Sequence, residues 1–137
     1  MEYSREKGLQ IFREVYGDAA ADGLTAYMKT DEFAVEIAKW STDFSFGAVW
    51  ARDNMQRKLR SCVVLGMLVA LRQHDEIRHH TKMALANGLS KTEIEEILYT
   101  AVPYCGFPAA NSAKAAMKEA FAQLNEGVAA GGRPTSM

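Results

Sequence analysis

The sequence predicts an all-α protein, a single-domain bundle of about six helices. Apolar residues recur at spacings of three and four through most of the chain, the period of a buried helical face. Helix stops are written into it at Gly17, at Asn87-Gly88 and at Pro103 followed by Gly106. No stretch alternates as a strand does; Val63-Val64-Leu65 is short and sits inside a helical run. At 137 residues the chain is long enough for one hydrophobic core, so residues 1–126 read as one domain. The glycine-rich end, residues 127–137, reads as a flexible tail.

Ser4 to Tyr16 reads as the first helix, with Leu9, Ile11, Phe12 and Val15 on its apolar face, Ser4 as cap and Gly17 as stop. Asp18 to Met28 is small and alanine-rich, a short helix or an irregular link. Thr30-Asp31 is predicted to open the next helix, where Phe33, Ile37, Trp40 and Phe44 share one face. That aromatic stripe reads as core or as a subunit contact. Gly47 breaks the pattern, Trp50 and Arg52 face a pocket or a neighbouring subunit, and Asp53-Asn54 is a turn.

The following stretch organises the rest. A basic cluster, Arg57, Lys58 and Arg60, opens a helix predicted from about Met55 to Gln73. Its apolar run, Val63 to Leu71, predicts a buried helix. The next helix starts near Asp75, carries His79 and His80, and stops at Asn87-Gly88. Ser90-Lys91-Thr92-Glu93 is a capping box for a helix presenting Ile94, Ile97, Leu98 and Ala101, which Pro103 kinks or ends. Pro108 suits the first turn of a last helix, Ala109 to about Leu124, whose many alanines let another helix approach closely. The apolar surface of these helices exceeds what one small subunit covers, which predicts a homo-oligomer.

Composition narrows the function. A net charge of −1 argues against a nucleic-acid partner. The longest apolar run falls far short of the roughly 20 residues of a membrane span. The opening MEYSREKG lacks the hydrophobic region of a secretory signal. Cys62 and Cys105 match no disulfide framework or zinc spacing and read as buried, reduced thiols of a cytoplasmic protein.

Glu76 and His80 stand four apart and share a helix face. A carboxylate there raises the imidazole pKa and fixes its tautomer, as a general acid needs; the other reading is an ordinary charge pair on a surface helix. Arg60, opening its helix, is either a solvated terminus or a clamp for a carboxylate. No metal site is expected: His74 and His79 are five apart and diverge by about 140° on a helix.

Taken together, Phe46-Gly47-x-x-Trp50, Arg60-Ser61, Glu76-x-x-x-His80, Asn87-Gly88-Leu89 and Tyr104-Cys105-Gly106-Phe107-Pro108-Ala109-Ala110-Asn111 resemble the carboxymuconolactone decarboxylase family. The resemblance spans Phe46 to Ala116. It implies an all-helical subunit in a ring-like trimer or hexamer. It implies a decarboxylation without cofactor, converting 4-carboxymuconolactone to 3-oxoadipate enol-lactone in the protocatechuate branch of the β-ketoadipate pathway. His80, Glu76 and Arg60 would be catalytic, with Trp50, Arg52, Ser61, Tyr104 and Asn111 contacting the substrate. The superfamily also contains alkylhydroperoxidase D-like thiol peroxidases, but their two cysteine positions hold Gln73 and Glu76 here, and their upstream glutamate falls on Ser61. Disulfide exchange needs two thiols in range, so the peroxidase reading fails. Two alternatives stand: a related lyase or isomerase acting on another lactone or phenolic metabolite, and a non-catalytic helical oligomer that binds a small acid.

Overall fold

The computed structural model describes residues 3–129, with side chains to residue 126. These residues are mostly helical, with no strand among them. They form two compact units, one ending at Met55 and one beginning at Gln56.

The first unit holds α1 (Arg5–Tyr16), α2 (Asp18–Met28), α3 (Val35–Trp40) and a π-helical segment, Ser41–Trp50. Ser4 caps α1 by accepting from the Lys7 amide at 3.1 Å. Gly17, at φ 97°, joins α1 to α2, and the segment left open between helix and link is a helix. The next helix does not open at Thr30. The Thr30 hydroxyl instead closes α2, donating to the Tyr27 carbonyl at 2.8 Å, and α3 begins only at Val35 after Ala34 in the left-handed conformation. The stripe Phe33, Ile37, Trp40 and Phe44 is not core of this chain; all four are exposed, Phe33 at 97%.

Gly47 does not break the helix it lies in. It is a contact point: a Cβ there would sit 2.1 Å from the Ser4 carbonyl oxygen, and one on Gly8 would sit 2.0 Å from that of Thr42. Only hydrogen fits between α1 and the π segment at these two positions. An Arg5–Asp43 ion pair and the edge-to-face rings of Phe12 and Phe46 tie the same two elements.

The second unit holds α4 (Arg57–Leu71), α5 (His74–Ala86), α6 (Lys91–Cys105) and α7 (Phe107–Ala129). Its core joins Leu65 and Val69 of α4, Ile77 and Ala84 of α5 and Ile94 of α6 to α7. From α7 come Ala109, Ala113, Ala116 and Met117, nearly all backbone and methyl, so neighbours approach closely. Helix α4 is buried on one stripe only: Leu59, Val63, Met67 and Leu71, spaced by four, are exposed.

The local signals act as read. Gly88 (φ 103°) closes α5 in a Schellman turn, with the Leu89 amide on the Ala84 carbonyl at 3.0 Å and the Gly88 amide on that of Leu85 at 3.1 Å. Arg72 occupies the equivalent left-handed position after α4. The Ser90–Glu93 capping box is complete, both bonds at 3.0 Å. Helix α6 ends at Cys105, two residues past Pro103. Helix α7 starts two residues before the predicted Ala109 and reaches Ala129, into the segment read as a tail; residues 130–137 lie outside the described residues.

Candidate active site

The α4–α5 hairpin carries Arg60, Ser61, Glu76 and His80. The turn at Arg72-Gln73 folds the two helices antiparallel, so the first turn of α4 lies beside the last turn of α5. A hydrogen bond fixes that pairing: the Asn87 amide donates to the Ser61 hydroxyl at 3.0 Å. Ser61 is 2% exposed, so its hydroxyl acts as a helix-to-helix tie.

Asn87 is the residue that sequence reasoning missed, having been read as a helix stop and as part of the family motif but not as a tie between helices. It lies seven residues after His80, nearly two full turns, and therefore on the same face of α5. That spacing was the available signal. It means the face carrying Glu76 and His80 is the face that meets Ser61, with Arg60 next in chain.

The His80 side chain is recessed, 20% exposed, and its Nε2 stands 4.0 Å from an oxygen of Glu76, itself 57% exposed. The expected rise in the His80 pKa is reversed. Burial pushes the imidazole below its ordinary 6.5 and outweighs the opposing pull of Glu76, with His79 lowering it further. His80 is thus a neutral imidazole at pH 7, a hydrogen-bond donor and acceptor rather than a cation. His79 is lowered the same way, chiefly by burial, and its buried Nδ1 has no hydrogen-bond partner. His74 is engaged elsewhere, 3.1 Å from Glu119 of α7.

Arg60 is half-buried. Its Nε is buried without a hydrogen-bond partner, and among the described residues the guanidinium makes no ion pair. Arg5, Arg13 and Arg78, in contrast, all meet carboxylates. A guanidinium without an ion pair has the geometry to pair with a carboxylate.

Of the other predicted contacts in this unit, Tyr104 lies on α6 and Asn111 on α7. Tyr104 is 86% exposed and lines a cavity of about 440 Å³ between α4 and α6, together with both cysteines. Those cysteines are free and half-buried rather than fully buried. Asn111 is exposed on α7. In the first unit, Trp50 is 6% exposed and Arg52 lies exposed in the turn after the π segment.

The carboxymuconolactone decarboxylase family model matches residues 36–119. The chain belongs to the carboxymuconolactone decarboxylase family. It is 30% identical over 119 residues to 4-carboxymuconolactone decarboxylase of Acinetobacter baylyi, covering 87% of each chain. It is 29% identical over 103 residues to a nitrosuccinic acid decarboxylase of Metarhizium robertsii, covering 75% of this chain and 71% of that protein. Both relatives are named decarboxylases, and their shared reaction class supports a carboxy-lyase here. No helix among the described residues is long and apolar enough to cross a membrane.

Proposed function

We propose that this protein decarboxylates 4-carboxymuconolactone to 3-oxoadipate enol-lactone, with His80 and Arg60 as its principal site residues. Family membership supports the reaction class. The observation that carries the site is the recessed, neutral His80 on the α5 face that Asn87 ties to the start of α4.

The chemistry suits these residues. The departing carboxylate sits on the γ-carbon of an unsaturated lactone. As the C–C bond breaks and CO₂ leaves, its electron pair moves through the ring double bond to the lactone carbonyl, giving a dienolate. A proton, drawn ultimately from solvent once CO₂ has left, then adds at the α-carbon. The substrate is its own electron sink. The protein must hold a second carboxylate, stabilise the enolate oxygen and exclude water. Arg60 seats the retained carboxylate. His80, oriented by Glu76, donates a hydrogen bond to the developing oxyanion, the kind of preorganised contact that dominates such reactions. A neutral imidazole serves this role without holding the substrate as an ion pair. Arg60 and His80 are separated along the hairpin by about 10 Å, the rise from His80 to Asn87. An arginine side chain and a small lactone span that distance.

Self-association is part of this reading, as a trimer or hexamer. Two exposed apolar stripes support it, one on α3 and the π segment and one on α4. The second relative favours an alternative substrate, a nitro-substituted dicarboxylic acid whose nitro group is the electron sink. Competing turnover of the two acids separates the readings. A higher kcat/KM for the lactone, with KM raised in Arg60→Gln, fits the first. A preference for nitrosuccinate assigns the second.

A further inference from the structure

A second cavity of about 440 Å³ lies between α6 and α7, and it contains none of the residues placed in the reaction. Its floor is apolar: Ile94 and Leu98 of α6 face Met117 and Phe121 of α7. Its rim is cationic. Lys91 starts α6, and Lys114 and Lys118 stand four apart on one face of α7. The Lys91 ammonium lies 5.4 Å from the centre of the Phe121 ring, so charge sits directly over the aromatic floor.

None of these three lysines has a carboxylate partner among the described residues, although Lys39 and Lys58 both do. Glu95 is the acid on the rim, which leaves three positive charges against one negative. The three lysines are exposed, and their like charge gives the rim a positive potential that favours an anion. The cavity volume falls in the range of small-molecule sites, roughly 300–1,000 Å³.

We propose that this cavity is a binding site for an aromatic carboxylate, with the ring on the Met117–Phe121 floor and the acid group among the lysines. The floor selects a flat apolar body. The rim selects a negative head. A neutral aromatic would leave the lysines unmatched, and a small polar anion would leave the floor wet. The site stands apart from the α4–α5 face and is independent of the decarboxylase reading.

The test uses the full-length protein, 2-naphthoate and its neutral counterpart 2-naphthylmethanol, read by calorimetry and by amide chemical-shift mapping. The naphthoate should bind saturably and shift amides of α6 and α7. The alcohol should bind about threefold to fivefold more weakly, the upper range for losing a charge contact with exposed lysines. The double variant Lys114→Gln/Lys118→Gln should weaken naphthoate by a similar factor and leave the alcohol, the helical content and decarboxylase turnover unchanged. Arg60→Gln should leave naphthoate binding unchanged. Equal affinity for acid and alcohol would overturn the proposal. So would binding lost in Arg60→Gln but kept in the lysine variant, which assigns the acid to the α4–α5 face. Absence of binding in an oligomer whose α6–α7 amides are solvent-protected would also overturn it, because a second copy would then fill the groove.

Discussion

Replacing Gly47 by alanine sets two physical effects against each other, and the structure decides the sign. Gly47 lies inside a helical segment, where alanine is normally better by about 0.5–1 kcal/mol. The added Cβ would sit 2.1 Å from the Ser4 carbonyl oxygen, 3.0 Å from the Ser4 carbonyl carbon and 3.1 Å from the Thr42 oxygen. All three are backbone atoms, so no rotamer change relieves the clash. The start of α1 must move away by about an ångström, and Gly8 blocks relief from the other side, with its own missing Cβ position 2.0 Å from Thr42. Overpacking of this kind costs about 1–3 kcal/mol net. Gly23 in α2 and Gly66 in α4 are the controls, since a Cβ at either meets nothing within 4 Å. Urea denaturation followed by circular dichroism should show Gly47→Ala less stable than the parent, and Gly23→Ala and Gly66→Ala more stable by about 0.5–1 kcal/mol. If Gly47→Ala matched Gly23→Ala, the close approach of α1 to the π segment would be wrong.

Ser61→Ala should cost about 1 kcal/mol, at the low end because the stranded Asn87 amide is only half-buried, and denaturation of Ser61→Ala, Asn87→Ala and the double variant should show non-additive losses. Stability should fall as pH drops below 6.5. The folded pKa values of His79 and His80 lie below that unfolded value, so the unfolded chain binds protons first, and His79→Gln/His80→Gln should flatten a plot of midpoint against pH. The acid limb of kcat/KM should likewise lie below 6.5, because the working imidazole is the neutral one; activity that instead falls as pH rises through the histidine range would restore the cationic acid.

Features set by a few neighbouring residues were legible in the sequence. The Ser90–Glu93 box, the Gly17 and Gly88 stops and the end of α6 behind Pro103 depend on bonds that span a handful of positions. The Glu76–His80 pairing was legible for the same reason. What burial does to that pair was not. A sequence shows the carboxylate four residues away but not the packing that removes water, and here removing water wins. Gly47 was misread because its reason is Ser4, forty-three residues earlier, and Thr30 because one hydroxyl can serve the helix before it or the helix after it. The apolar stripes of α3 and α4 have helical period, but period does not say whether a face turns inward.

Counting CO₂ released from 4-carboxymuconolactone against lactone consumed, for the parent and for His80→Ala, bears most directly on the proposed reaction and its site. One CO₂ per lactone, with kcat down by about 10²–10³ in the variant, is the predicted result, the usual effect of removing one oxyanion donor. Lactone consumed without CO₂, or a variant within a few-fold of the parent, would contradict it.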